Sequence, residues 1–345
     1  MRRARRYASL LAPVLRSQRG RLPAPWKVTL ATTYVCNHRC THCGIWTRQP
    51  KNELTTSEFA SFFAANPSIR WLDLTGGEPT SRPDLPAIIE AAATLPDLLV
   101  LHFPTNGTLP HKAAEAARVA VAATPAKVIV TVSLDGPPAV HDRMRGVAGA
   151  WNGALDTYRA IDGIPGAEVV FGMTLNQDNA HAVDETVASL QAQLGAFAPD
   201  ALHLNVAQRS AHYYGNADMP LPDPAQTQAA LRSPPLRSPT AALERAYRAL
   251  VPAYLKSGAS PVRCQALSAS CFVDPWGTVY PCITEDRPLG SLRERGWSLA
   301  DLWRDTADAA DDMAAGRCDG CWTPCEAYPS LLGALPQSAV AALKG

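Results

Sequence analysis

The sequence carries almost no net charge. Its 32 Lys and Arg stand against 31 Asp and Glu over 345 residues, leaving +1. So even a balance gives no general electrostatic footprint for nucleic acid, which is not an expected partner. Charged residues make up only 18%, below the ~25% usual in globular domains. Hydrophobic residues supply 47%, ample for a buried core. No run of about 18 apolar residues occurs, which argues against a membrane-spanning helix. The nine cysteines are an odd number, so they cannot all pair within the chain. They are also too sparse for a small disulfide scaffold. Metal ligands, catalytic thiols or buried small hydrophobes remain. There is no cysteine between Cys43 and Cys264: three crowd at Cys36, Cys40 and Cys43, and six fall between Cys264 and Cys325. Scattered core cysteines would not leave that gap, and two separate thiolate sites would. No internal repeat is visible.

At the N-terminus Arg2, Arg3, Arg5 and Arg6 precede a short apolar stretch, Ala8 to Leu15. Pro13 interrupts it, Arg16, Arg19 and Arg21 follow, and no small-residue cleavage site stands out. The segment reads as uncleaved and the chain as cytoplasmic, in a reducing compartment where thiolates are available to metals. Residues 1–21 hold seven arginines and no acid. They fit a solvated basic tail. They also fit a helix lying weakly on anionic lipid at the inner membrane face, with Leu10, Leu11, Val14 and Leu15 on its apolar side.

From residue 27 strand and helix patterns alternate. Periodicity and capping signals predict strands at Lys27–Thr33, Arg70–Thr75, Leu98–Phe103, Lys127–Ser133, Glu168–Thr174 and Ala201–Val206. Helical patterns lie between them, the first opened by capping-box spacing at Thr55 to Glu58. Six βα units imply a parallel sheet with right-handed crossovers, fewer than the eight of a closed barrel. The expected fold class is therefore α/β, a partial (β/α)6 barrel. Residues 207–240, rich in proline, read as a long irregular connection over the barrel mouth, followed by a helix at Thr240–Lys256. Phe272 to Tyr280 reads as a β-hairpin turned at Gly277, and Ser298 caps a short helix. The expected organisation is a basic segment 1–26, a barrel 27–257, a small cysteine-rich β-hairpin/helix module 258–330, and a tail 331–345.

The first cysteines form Cys36-x3-Cys40-x2-Cys43 just after the first strand. Three thiolates on one loop can converge on one metal centre. A mononuclear zinc site wants a fourth ligand, which His38 or His42 would supply. An iron–sulfur cluster held by three cysteines keeps one iron free for a substrate or cofactor. Gly76 and Gly77 follow the second strand, where the absence of a Cβ lets backbone come close to a ligand at the C-terminal edge of a sheet.

Taken in order, these motifs resemble the radical S-adenosylmethionine (SAM) superfamily. The three-cysteine loop is followed by Thr75-Gly76-Gly77-Glu78-Pro79 after the second strand, Thr105-Asn106-Gly107 after the third, and Ser133-Leu134-Asp135-Gly136 after the fourth, with His141 to Gly146 beyond. The resemblance covers roughly residues 27–325. It implies that Cys36, Cys40 and Cys43 hold a [4Fe–4S] cluster whose open iron chelates SAM. It also implies that Gly76, Gly77 and Glu78 receive the methionine amine, that Ser133 contacts the ribose region, and that His42 lies against the adenine. Arg145 is the expected partner of the methionine carboxylate, since Arg matches a carboxylate bidentately, and Arg143 is its rival. Asn106, Thr174 and Asn205 are further candidates to line the cavity.

The C-terminal cysteines, Cys264-x12-Gly277-x4-Cys282, then Cys318-x2-Cys321-x3-Cys325, resemble the auxiliary-cluster module called SPASM or its shorter form, twitch. Too few thiolates are present for two fully ligated auxiliary clusters. The resemblance implies one auxiliary [4Fe–4S] cluster on Cys264, Cys282, Cys318 and Cys321, with Cys325 an alternative ligand. Cys271 is a ligand, a buried small hydrophobe or a thiol that donates hydrogen to a substrate radical. The implied activity is that of a radical SAM enzyme: reductive cleavage of SAM to a 5′-deoxyadenosyl radical, then hydrogen abstraction from a C–H bond. The auxiliary cluster would assist oxidation or rearrangement. The electron for SAM cleavage would come from a reductant protein such as a flavodoxin or ferredoxin. The substrate would be a ribosomal peptide or a small molecule such as a sugar, aminocyclitol or lipid head group, with Tyr213 and Tyr214 as contacts or as packing. The competing classes are a non-catalytic iron–sulfur sensor and a zinc-stabilised binding module. Neither needs the glycine and Ser-Leu-Asp-Gly motifs.

Overall fold

The computed structural model describes residues 12–231, 239–318 and 320–344. Residues 1–11, which carry much of the expected lipid-facing segment, lie outside the described residues. Residues 12–17 are helical. Val14 is buried there in a small cluster with Leu22, Trp26 and Ala269, while Leu15 is half exposed.

Six parallel strands follow one another in chain order: β1 (Lys27–Thr33), β2 (Trp71–Gly76), β3 (Val100–Thr105), β4 (Lys127–Ser133), β5 (Ala167–Leu175) and β6 (Leu202–Val206). The returning helices are α1 (Thr56–Ala65), α2 (Leu85–Ala92), α3 (Pro110–Ala123), α4 (Pro138–Arg145), α5 (Ala150–Asp162) and α6 (Val183–Leu194). The capping box that opens α1 is complete, with Thr55 and Glu58 exchanging side chain and backbone bonds. The strands show the period of two that separates a sheet's faces. Leu101, Phe103, Val128, Val130, Val132, Leu202 and Leu204 are buried in the main core. Their neighbours His102, Thr131, Ser133, His203 and Asn205 are only partly buried. The barrel interior is therefore polar, and the apolar core lies between the sheet and its helices.

The expected hairpin is present as β7 (Ser270–Val273) and β8 (Thr278–Tyr280), with a short β9 (Gly290–Ser291) beyond. It is not a separate sheet. β7 pairs in parallel with β1, Lys27 opposite Ser270 through Leu30 opposite Val273. One nine-stranded sheet results, in the order β6-β5-β4-β3-β2-β1-β7-β8-β9. β1 is buried along its whole length because both of its edges are taken.

At the other end β6 is an open edge. Past α7 (Pro224–Ala230), α8 (Pro239–Ser257) covers it with side chains. Glu244 Oε1 accepts from Leu204 N at 3.1 Å, Tyr247 OH from Val206 N at 3.3 Å, and Arg248 Nη2 donates to Leu202 O at 2.6 Å. These bonds satisfy backbone groups that an uncovered edge strand would leave open to aggregation. The short helices α9 (Leu299–Arg304) and α10 (Ala307–Ala314) follow, α9 capped by Ser298 as expected. Of residues 331–345, expected as a tail, the described residues 331–344 continue the fold. α11 (Pro324–Gly333) and α12 (Leu335–Lys344) bury Leu331, Ala334, Ala341 and Ala342 against Tyr247 and Val251 of α8. Among the described residues no helix is long and apolar enough to cross a membrane.

Lys27 is wholly buried where the hairpin meets the barrel. Its Nζ lies 3.2 Å from Asp73 Oδ2 on β2 and 3.9 Å from Glu326 Oε1 on α11, and donates to Cys325 O at 2.6 Å. Burial pushes the ammonium's pKa down, but the two carboxylates outweigh it and the net shift is upward.

Candidate active site

The loop after β1 carries Cys36, Cys40 and Cys43, all free thiols. It is pinned from four sides at the C-terminal ends of the strands. From β2, Gly77 N donates to Thr33 O at 2.7 Å and Glu78 N to Val35 O at 2.9 Å. A Cβ on Gly77 would stand 2.4 Å from Val35 O and 3.0 Å from Cys36 Cβ, so this approach needs glycine. From β3, Asn106 Nδ2 donates to Asn37 Oδ1 at 2.6 Å. From α4, the Arg145 and Met144 carbonyls accept from Arg39 N and Thr41 N at 3.0 and 2.9 Å. From the connection after β6, Tyr214 O accepts from Gly44 N at 2.6 Å. Burial raises all three thiols, Cys36 to about 11 and Cys43 to about 12, while Arg145 partly counters the rise at Cys40.

Arg145, and not the exposed Arg143, faces this loop. Its Nη2 lies 2.7 Å from Asp135 Oδ2, its Nη1 donates to Cys40 Sγ at 3.7 Å, and its Nε is buried without a partner. Asp135 is wholly buried; burial pushes its carboxyl up, but Arg145 and His42 outweigh this and the net shift is downward. His42 Nε2 sits 3.8 Å from Asp135 Oδ2, and burial drives the imidazole toward its neutral form. Glu78 is fully engaged. Oε1 accepts from Thr80 N at 3.0 Å, from the Thr80 hydroxyl at 2.5 Å and from Thr105 Oγ1 at 2.9 Å, and Oε2 accepts from Asn106 N at 2.6 Å. It ties the loop after β2 to the loop after β3. Ser133 ends β4 opposite Gly172, partly exposed. Thr174 N donates to Asp135 Oδ1 at 3.1 Å, and Asn205 Oδ1 is buried with no partner.

Residues 207–219 do pass over this end of the barrel. Tyr213 is packed there, not offered to a ligand: it is buried, with its hydroxyl 2.9 Å from Thr75 Oγ1 and donating to Gly76 O at 3.1 Å. Asn216 Nδ2 donates to His42 O at 3.0 Å. His212 reaches the other way, with Nε2 3.2 Å from Cys282 O and its ring stacked on Tyr280. The proline-rich run beginning at 207 pointed to a connection over the barrel mouth, and its bonds to the two cysteine sites are what the sequence did not show.

In the C-terminal module Cys264, Cys282, Cys318 and Cys321 form one neighbourhood. Cys264, Cys282 and Cys321 interact electrostatically with one another, and Cys318 interacts with Cys321. Cys325 packs against the cluster that also receives Cys36, Cys43 and Tyr214. Cys271 joins neither group. It is wholly buried inside β7, opposite Val28, in the core between sheet and helices. Its neighbour Phe272 takes the other strand face, toward Tyr213 and His212. The Cys271 thiol packs in this core and not toward the barrel interior, as the buried small hydrophobe among its expected roles would.

The donor sets can be tested against a cluster and against zinc. Of the imidazoles suggested as fourth zinc ligands, Nε2 is engaged, His38 with Thr108 and His42 with Asp135, while each Nδ1 is buried without a partner. Among the described residues no three His, Cys, Asp or Glu converge on a point as a mononuclear site requires. A [4Fe–4S] cluster takes one sulfur per iron and spaces its thiolates more widely. Three unpaired thiols beside an arginine with spare donor capacity fit a cluster that binds an anionic, chelating ligand.

A partial (β/α)6 barrel with a three-thiol loop at its mouth and a second thiol group beside it defines a two-site iron–sulfur architecture. Family models give the particular class. Residues 30–190 match the radical SAM superfamily, and residues 264–326 match SPASM, an iron–sulfur cluster-binding domain. The chain belongs to the radical SAM superfamily and carries a SPASM domain; it is an enzyme of SAM-dependent radical chemistry, with a [4Fe–4S] cluster, SAM and auxiliary iron–sulfur as cofactors. It is 27% identical over 329 residues to the mycofactocin maturase MftC of Mycobacterium ulcerans, across 90% of this chain and 86% of that protein. It is 36% identical to the GTP 3′,8-cyclase of Acidothermus cellulolyticus, but over only 33% of each chain. In fold it resembles Streptococcus suis SuiB bound to the precursor peptide SuiA, with a TM-score of 0.59 at 13% identity, covering 86% of this chain and 68% of that one. It also resembles anSMEcpe with bound AdoMet, with a TM-score of 0.57 at 13% identity, covering 92% and 99%.

Proposed function

We propose that this enzyme abstracts hydrogen from a C–H bond of a peptide held between two clusters. Cys36, Cys40 and Cys43 would ligate the SAM-binding one, and Cys264, Cys282, Cys318 and Cys321 a single auxiliary one. The observation that carries the reading is the strap at 207–219, which bonds to the first thiol loop through Tyr214 O and to the auxiliary group through His212. Whatever lies beneath it has a cysteine site on either side. The chemistry that cluster and SAM supply when bound is one-electron cleavage of the sulfonium, giving methionine and a 5′-deoxyadenosyl radical.

The chain's own residues orient and shield that step. Arg145 has an unpartnered Nε to offer the methionine carboxylate. Gly76 and Gly77 let backbone approach the amine. Neutral His42 offers a flat face to the adenine, and Ser133 an uncommitted hydroxyl to the ribose. Glu78 and Asn106 act as scaffolding, since their side chains are already spent on holding the loops together. The strap excludes water from a reactive radical. A flavodoxin or ferredoxin delivers the electron. The peptide reading is supported by the likeness to a maturase across most of the chain, and by SuiB, in which a barrel of this fold binds a precursor peptide. Residues 1–21 would add weak attachment to anionic lipid, tested by vesicle flotation with and without residues 1–11.

Anaerobic reconstitution tests the main reading. It expects about eight iron and eight sulfide per chain, 5′-deoxyadenosine from SAM after reduction, and a mass change in a short peptide encoded beside the gene. Bound zinc without iron, or intact clusters that leave SAM uncleaved, would overturn it. Turnover of a sugar or aminocyclitol with no peptide modified would overturn the substrate class alone.

A further inference from the structure

Thr284 lies two residues beyond Cys282 on the turn after β8. Its hydroxyl oxygen is 3.2 Å from Cys282 Sγ. Its hydroxyl has no competing side-chain acceptor among the described residues. We propose that Thr284 is a positioning residue whose hydroxyl donates to the Cys282 sulfur, a ligand of the auxiliary cluster, and raises that cluster's reduction potential. The inference rests on Cys282 being a ligand.

Between a thiol and a hydroxyl either atom can donate. A sulfur bound to iron carries no proton, so the hydroxyl becomes the only donor of the pair and must point at sulfur. Cys282 is 2% exposed and Thr284 is half-buried, so the sulfur is shielded from water, and in such a site one O–H dipole counts for more than at an open surface. Reduction adds negative charge to the cluster and its sulfurs. A donor aimed at sulfur stabilises the reduced state more than the oxidised one, so the potential rises. Thr284 is β-branched, with a stiff χ1, so little freedom is lost in holding that aim.

Thr284→Val removes the hydroxyl and keeps the shape; Thr284→Ser keeps the hydroxyl. Both are made in a Cys36→Ala/Cys40→Ala/Cys43→Ala background, so that only the auxiliary cluster remains. Iron content is measured first, then an anaerobic redox titration is followed by electron paramagnetic resonance. The expected result is full auxiliary iron in both variants and a more negative midpoint in Thr284→Val. At the parent midpoint its reduced-to-oxidised ratio should fall by about threefold to tenfold, tenfold being ~59 mV for one electron. Thr284→Ser should titrate with the parent. Coincident midpoints for Thr284→Val and the parent overturn the proposal. So does an equal shift in Thr284→Ser, or loss of the cluster in Thr284→Val alone, which would make the hydroxyl an assembly device. A Cys282→Ala chain that keeps its auxiliary iron would instead overturn the ligand assignment.

Discussion

Lys27→Met is the substitution with the clearest cost. The side chain lengths are similar, so the change removes a charge from a site that has no access to water. Two carboxylates depend on that charge, at 3.2 and 3.9 Å. At an effective dielectric of ~20 their gross attraction to the ammonium is about 5 and 4 kcal/mol. Desolvation offsets most of this while the group is intact. Once the lysine is gone, Asp73 and Glu326 remain buried and uncompensated, and breaking a buried pair in this way costs ~3–5 kcal/mol. For a chain of 345 residues an unfolding entropy of ~0.7 kcal/mol/K converts that loss into a fall in Tm of roughly 4–7 °C. The assay is differential scanning fluorimetry of the anaerobic holoenzyme, with Lys27→Met/Asp73→Asn as the companion. Neutralising Asp73 should restore a good part of the loss, because the penalty lies in the orphaned charge. A Tm within 1 °C of the parent, or a double variant no better than the single, would refute the reasoning.

Gly77→Ala forces Val35 O from 2.4 Å to an ordinary contact, about 1 Å of backbone motion at the thiol loop. SAM cleavage should fall by a factor of ~100, a usual cost of an ångström's misplacement, while the auxiliary iron is retained. Acid should loosen the barrel through Asp73. Burial pushes its carboxyl up, but Lys27 and His102 outweigh it and hold it at about 2, against ~3.9 unfolded. The stability it contributes is present above pH ~4 and is lost as pH falls toward ~2. Urea midpoints at pH 6, 4 and 3 should show a steeper decline in the parent than in Asp73→Asn. Cys271→Ala and Cys325→Ala should both keep full iron, the former at a cost of about 1–2 kcal/mol for the small void it leaves, whereas Cys321→Ala should lose the auxiliary half in an iron assay.

The six βα units were legible because each strand and helix carries its own period. Lys27–Thr33 and Lys127–Ser133 match to the residue, and Thr55 caps where its spacing said it would. The motif loops were legible because they sit at strand ends. Contacts between distant segments were not. Nothing local to Ser270–Val273 says that it pairs with β1, and a run of four apolar or small residues serves as well in a free hairpin. Alanine-rich residues 335–344 read as a tail because their apolar face has meaning only beside α8. In sequence Arg143 remained a rival to Arg145, and the turn of α4 separates them, one to solvent and one to Cys40. Glu78 entered as a ligand contact through the family resemblance. Two of its four hydrogen bonds are local, to Thr80, and the other two come from Thr105 and Asn106, which the sequence cannot show as neighbours.

The parallel pairing of β1 with β7 has a consequence for how the protein is made. β1 leaves the ribosome ahead of β2 to β9, yet one of its edges is satisfied only by β7, far along the chain. Until Ser270–Val273 has emerged, the strand that leads into the Cys36 loop presents an unpaired edge, and the buried Lys27 lacks Glu326. Long-range pairing of this kind is slow, and it leaves the nascent chain open to misassociation. Maturation of the SAM-binding end is thereby tied to completion of the auxiliary end. A chain cut before Ser270 should accumulate as aggregate and not as a working barrel. A module transplanted from a relative should be accepted only if it brings a strand in register with Lys27–Leu30.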